Sequence, residues 1–283
     1  MSEGQTLLLG VVAGGTIFLG LPLGRVRRSV PGVRQFLSAL AVGILLFLVW
    51  DVLAHAYAPV ATRLAALHGG TGGPGPVVGY AALFLGGIAA GCLSLVYYER
   101  WLGRTQRRRA FGPGAMDVRE RVVAAPRAGA LSSARQLSLL IAAGIGLHNF
   151  GEGLAIGGSA ATGAIGLATV LVIGFALHNA TEGFGIVAPL AAAEDRPGWG
   201  FLCTLGLIAG GPTLAGTAIG RQFTSAWLIV VFLSLAAGSI LYVVVQLLGM
   251  TLKQGRKHVV YWGVLIGLAA GFLTDMIITA GGG

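Results

Sequence analysis

Eight stretches of this 283-residue chain are apolar for about 20 residues or more, the length an α-helix needs to cross a bilayer. They cover approximately residues 5–24, 33–58, 77–98, 136–159, 163–190, 199–220, 226–249 and 258–279. A backbone in lipid must satisfy its own hydrogen bonds, so such stretches fold as helices. The predicted fold class is therefore all-α: a polytopic membrane protein of eight transmembrane helices, in one transmembrane domain over residues 1–283. Only 10% of residues are charged, against about 25% in a soluble chain. The 48 glycines fall largely within the apolar runs, where small residues let helices approach closely. The N-terminus has no basic region before its first apolar run, so that run is read as a retained helix and not a cleaved signal.

Two near-identical hexapeptides sit inside the fourth and fifth runs: His148-Asn149-Phe150-Gly151-Glu152-Gly153 and His178-Asn179-Ala180-Thr181-Glu182-Gly183. A charged side chain at the centre of a membrane helix costs roughly 2.5–3.5 kcal/mol on insertion scales. Two copies of one polar pattern therefore point to function. Helical spacing places His and Glu on one face at i and i+4, with Asn beside Glu at i+3. The two runs are joined by a few residues, so they are adjacent and antiparallel, and both motifs lie near mid-span. Transporters put their binding sites at that depth. Imidazole with carboxylate suits zinc, iron, manganese and related divalent ions. Two Glu and two His form a neutral set around a dication, and Asn149 and Asn179 can add carbonyl oxygens or support the ligands. The predicted metal residues are thus His148, Asn149, Glu152, His178, Asn179 and Glu182. Asp51 and His55, at i and i+4 in the second run, and Asp275 in the eighth, mark an entrance or proton path. Gln246 is expected to pack helices through a hydrogen bond, and Cys92 and Cys203 to pack in the core without forming a disulfide framework.

Charge sets orientation. Seventeen of the 19 Lys and Arg residues flank or fill the connections after runs one, three, five and seven. Arg25, Arg27, Arg28 and Arg34 flank the first and Arg196 the third; Lys253, Arg256 and Lys257 flank the fourth. Nine arginines lie in the long segment 99–135, including Arg107, Arg108 and Arg109, which is expected to be a mobile cytoplasmic loop broken at Gly112-Pro113-Gly114. The other side has Arg63 and Arg221 only. Positive residues stay in the cytoplasm, so both termini are placed outside, periplasmic if the bilayer is an inner membrane. The net charge of +9 is read as topology with contact to anionic lipid, and nucleic acid is not expected as a partner. The segment 59–76, with His68, is expected to be a Gly/Pro-rich loop.

The motif pair, the eight spans, the outside termini and the long loop after span three resemble the ZIP (Zrt/Irt-like) divalent metal transporters, in a bacterial-type version. The resemblance implies uptake of zinc, iron, manganese or cadmium into the cytoplasm without ATP hydrolysis, often as a homodimer. The metal is then substrate and not cofactor, and no catalytic residues are expected. It also implies a transport site at His148, Asn149, Glu152, His178, Asn179 and Glu182. Three departures stand out. Gly151 and Thr181 occupy places where relatives often have Pro. Gly210-Gly211-Pro212 lacks the carboxylate that some relatives use for a second metal, and the long loop is Arg-rich where many relatives have histidines. An intramembrane metal-dependent enzyme and a non-transporting metal sensor are the alternatives. An ATP-driven pump is disfavoured because no phosphate-binding Gly-x-x-x-x-Gly-Lys-Ser/Thr motif is present.

Overall fold

Ser2 starts the first helix with a capping box: its hydroxyl accepts from the Gln5 amide (3.2 Å) and the Gln5 side chain accepts from the Ser2 amide (2.9 Å). The computed structural model describes residues 2–25, 31–111, 131–161, 165–193, 195–222 and 225–280. Within them the elements are α1 (Glu3–Gly15), α2 (Ile17–Gly20), a 3-10 turn (Leu21–Arg25), α3 (Pro31–His68), α4 (Pro74–Phe111), α5 (Ser133–Ala161), α6 (Ile165–Ala192), α7 (Trp199–Gly220), α8 (Ala226–Leu252) and α9 (Lys257–Ala280). No strand occurs among the described residues. The α1–turn unit, α3, α4, α5, α7, α8 and α9 each contain a stretch long and apolar enough to cross a membrane. The helix α6 is 28 residues long and carries Glu182 as its one Asp, Glu, Lys or Arg residue. Seven of the eight expected spans meet that criterion among the described residues, and α6 coincides with the fifth expected one.

Two segments expected to be loops are helical over part of their described residues. The helix α3 runs straight through Pro59 to His68, 38 residues in all. A proline removes one amide donor, and the rest of the turn holds the helix together. The chain reverses over residues 69–73 only: Gly70 takes φ 71°, and the amides of Thr71 and Gly72 both cap the Ala66 carbonyl. His68 is exposed at the end of the helix. Likewise α4 continues past the expected end of its span to Phe111, so Glu99 and the Arg107–Arg108–Arg109 run are helical. Good helix formers dominate this stretch, which carries the single glycine Gly103 and no proline before Gly112-Pro113-Gly114. Glu99 accepts from the Tyr242 hydroxyl (2.8 Å) and the Gln246 amide (3.0 Å), which ties α4 to α8 as expected for Gln246. Arg27, Arg28, Gly112, Pro113, Gly114, Arg119, Arg121, Arg127 and the join at 162–164 lie outside the described residues. Cys92 packs against the core, but Cys203 is exposed on α7.

Glycine determines which helices pair. A methyl group added at Gly153 or Gly157 of α5 would sit 2.1 Å from Thr213 O or 2.3 Å from Thr217 O of α7. On α7, one at Gly216 or Gly220 would sit 2.1 Å from Phe150 O or 2.4 Å from Leu154 O of α5. Each helix thus presents a Gly-x-x-x-Gly face to the other, and the backbones touch. The same reciprocal fit joins α3 to α9 (Gly43 with Val264 O, Gly267 with Leu40 O) and α4 to α8 (Gly91 with Leu235 O, Gly238 with Ile88 O). The core between these pairs is built from wholly buried residues such as Ile141, Ile145, Ile186, Leu205 and Ile240.

Candidate metal site

The two hexapeptides meet where α5 crosses α6. Glu152 sits at the centre. Its Oε1 lies 3.1 Å from His148 Nε2 and is in hydrogen-bond contact with His178 Nε2. Its Oε2 lies 3.5 Å from Asn179 Nδ2. One ligand atom each from His148, Glu152 and His178 falls within 4.8 Å of the others, so one ion can contact all three. The two imidazole rings are 6.1 Å apart. Glu182 stands slightly aside: its Oε1 is 4.0 Å from His148 Nε2, and both its oxygens are buried without a hydrogen-bond partner, as is His148 Nδ1. A buried carboxylate with no donor is costly in a metal-free protein. It is also an anionic ligand that a cation can take without displacing an existing bond.

Asn149 and Asn179 are bound by their amide ends. Asn149 Nδ2 donates to Ala209 O of α7 and Asn179 Nδ2 to Ala13 O of α1, each at 3.0 Å. Their Oδ1 atoms are buried and unpartnered. The glycines that close the two motifs repeat the arrangement one turn on: Gly153 abuts Thr213 O of α7, and Gly183 abuts Ile17 O of α2. The acceptor residues stand four apart in both cases, 209 and 213 on one side, 13 and 17 on the other. Thr181, at one of the places where relatives often have Pro, donates its hydroxyl to His178 O at 2.6 Å, a local bond that bends helices slightly. Backbone carbonyls carry no sequence signal, so the parts played by Ala13 and Ala209 could not be read from the chain.

A cavity of about 480 Å³ ends at this cluster, and His148, Glu152 and His178 form part of its wall. Asp51, His55 and Asp275 line the same cavity, so the structure brings the expected path residues and three of the expected ligands into one space. His55 Nδ1 lies 3.3 Å from Asp51 Oδ1. The imidazole-and-carboxylate set is one that divalent transition metals accept.

A family model described as the ZIP zinc transporter matches residues 123–277, more than half of the chain and all of both hexapeptides. The chain belongs to the ZIP family. No curated protein matches it. This ZIP protein is accordingly an integral membrane transporter of divalent metal ions. The matched region runs from before α5 to near the end of α9, so Asp275 falls inside it and Asp51 and His55 fall outside. In α7 the residues at the place of the missing carboxylate are Gly210, which packs against Gly14 O of α1, and Gly211, which is exposed. What α7 supplies to the cluster is the Ala209 carbonyl that holds Asn149.

Proposed function

We propose that this ZIP protein carries divalent transition metal, zinc by preference, into the cytoplasm, and that His148, Glu152, His178 and Glu182 are its primary ligands. The observation that carries the reading is the Glu152 carboxylate held between two imidazoles at the closed end of the cavity. Asn149 and Asn179 complete the site through their Oδ1 oxygens, or steady the histidines beside them. Zinc leads because borderline ligands in a compact set of four suit it; iron, manganese and cadmium are the competing substrates. Asp51, His55 and Asp275 lead the ion from the open end of the cavity. The arginine-rich end is cytoplasmic and both termini lie on the far side of the plasma membrane, the inner membrane of a bacterium, with two copies forming the working unit. The test is uptake by reconstituted vesicles, with zinc competed by iron, manganese, cadmium and cobalt. Glu152→Ala and Glu182→Ala are each expected to abolish uptake while the protein still inserts. Near-normal uptake in both would overturn the assignment.

A further inference from the structure

The cavity is one-sided. Its lining begins at His148 and His178 and continues through 151–159 of α5, 44–55 of α3, 229–233 of α8 and 271–279 of α9. Taking the direction of each helix into account, those of α5, α6, α8 and α9 lie in the halves away from the arginine-rich end, and those of α3 run outward from Ile44, just before its midpoint. On the other side of the two histidines the described residues form a filled core: Ile141, Ile145, Ile186, Leu190, Leu205 and Leu247 are wholly buried. Apart from Ile44 and Phe47, just short of the midpoint of α3, no lining residue of this cavity comes from that half.

At the end of the filled half, three arginines from three separate elements converge on the last turn of α6 and the short connection from it to α7. Arg25, from the 3-10 turn, donates to Pro197 O at 2.6 Å, and its guanidinium lies 4.9 Å above the Trp199 ring. Arg34, from α3, donates to Ala191 O at 3.4 Å. Arg135, from α5, grips Asp195 with both prongs, Nε to Oδ2 and Nη2 to Oδ1, each at 2.9 Å, and lies 5.4 Å from the Phe201 ring. Ser132 strengthens the same contact: its hydroxyl donates to Asp195 Oδ2 at 2.9 Å and accepts the Arg135 amide at 3.2 Å, so the cap of α5 and the anchor of Asp195 are one group. The Asp195 amide in turn donates to Leu190 O at 3.0 Å. A charge that only sets topology needs no partner. These three have specific ones, and a two-pronged Arg–carboxylate pair fixes geometry as well as adding energy.

We infer that Arg25, Arg34 and Arg135 with Asp195 form a clasp that keeps the α6–α7 connection shut over the filled half, and that its release opens the way from the two-histidine cluster to the arginine-rich face. The connection is the right point of control. It joins α6, which carries His178 and Glu182, to α7, whose Ala209 carbonyl holds Asn149. The clasp ties that joint to three elements at once. The inference rests on the transport reading, because a gate matters only if an ion must pass it.

Thiol labelling of the full chain in vesicles tests the gate without relying on transport. With Cys92→Ser and Cys203→Ser as background, Leu190→Cys reports on the filled half and Leu233→Cys on the cavity. A charged, impermeant thiol reagent is applied to the arginine-rich side for the first and to the cavity side for the second. Asp195→Asn is expected to raise labelling of Leu190→Cys roughly tenfold, the shift that loss of about 1.4 kcal/mol gives, and to lower labelling of Leu233→Cys. Exchanging the charges, Arg135→Asp with Asp195→Arg, is expected to move both rates back toward the parent. An unchanged Leu190→Cys rate in Asp195→Asn overturns the proposal. So does a rise at both reporters together, which means general loosening and not a gate. Zinc uptake by the parent is measured in parallel: if there is none, the transport reading falls, while the labelling rates still decide whether the clasp closes the filled half.

Discussion

Replacing Glu152 by Gln removes the charge at the centre of the cluster and keeps its volume. The side chain is 3% exposed, so water screens its interactions little. It lies 3.1 Å from His148 Nε2, touches His178 Nε2 and is 3.5 Å from Asn179 Nδ2, so it serves both halves of the site. Truncating one member of a desolvated charge pair costs about 2–5 kcal/mol. At about 1.4 kcal/mol per factor of ten, a loss of about 3 kcal/mol is roughly a hundredfold in zinc affinity. Glu182→Gln gives a diagnostic contrast. Its oxygens have no hydrogen-bond donor and its nearest cationic partner is 4.0 Å away. Neutralising it weakens zinc binding too, yet relieves an uncompensated buried carboxylate in the metal-free protein. Without zinc, then, Glu152→Gln is expected to melt lower than wild type and Glu182→Gln higher, by a few degrees each for about 1 kcal/mol. With saturating zinc the order of stabilisation is wild type well above both. The assays are zinc titration in detergent micelles and thermal unfolding with and without zinc. Wild-type affinity in both variants, or equal loss of metal-free stability in both, refutes the reasoning.

Three further outcomes follow from the same coordinates. Zinc uptake should fall as pH drops from 8 to 5, because protons compete with the metal for imidazole and carboxylate; a flat profile of initial rates in vesicles contradicts this. The clasp should not contribute to that fall. The Arg135 guanidinium, aided by the Ser132 hydroxyl, holds the Asp195 carboxyl below its ordinary value. A depressed carboxyl contributes its full stabilisation above the unfolded value of about 3.9 and loses it only as pH drops further, so the uptake profile of Asp195→Asn should keep the wild-type shape between pH 5 and 8. Finally, Gly153→Ala should destabilise the fold by roughly 1–3 kcal/mol or more, since the new methyl would meet Thr213 O at 2.1 Å. Gly211→Ala, with nothing within 4 Å, should melt like wild type.

What the sequence made legible was whatever depends on composition and on a period of four. The apolar runs located the spans, because lipid allows them one conformation. The i, i+4 spacing of His148 with Glu152 and of His178 with Glu182 is seen at one crossing, where His148, Glu152 and His178 gather and Glu182 stands slightly aside. Helix ends were harder. Pro59 and the polar stretch from Glu99 looked like breaks, yet a helix crossing a bilayer can carry one missing donor and can run on into water when its residues favour helix. Tertiary partners were harder still. Arg25, Arg34 and Arg135 were indistinguishable by sequence from arginines that only orient the chain, because Pro197 O, Ala191 O and Asp195 become their neighbours only once three helices have packed. Cys203 sits in an apolar helix, but which face of that helix meets lipid depends on its neighbours.

The two hexapeptides also show how a repeated sequence can give an unequal site. Each reads as His, docking Asn, two spacers, Glu, close contact. His148 and His178 offer nitrogen, Asn149 and Asn179 dock to Ala209 O and Ala13 O, and Gly153 and Gly183 let the helix press against Thr213 O and Ile17 O. The docking partners are spaced alike, so α5 sits on α7 much as α6 sits on α1 and α2. The two His/Glu pairs nevertheless differ in what they touch: Glu152 contacts both histidines, whereas Glu182 stands 4.0 Å from His148 Nε2. Each docking surface carries an irregularity between its two acceptors. Pro212 lies inside α7 between Ala209 and Thr213, and Thr16, with helical φ and ψ, lies between Ala13 and Ile17, where its hydroxyl takes up the Ala13 carbonyl that Asn179 also uses. Matched docking therefore leaves the two carboxylates unlike: Glu152 contacts both imidazoles, and the Glu182 oxygens are buried without a hydrogen-bond partner, so a cation entering the cluster can take the Glu182 oxygens without displacing an existing bond.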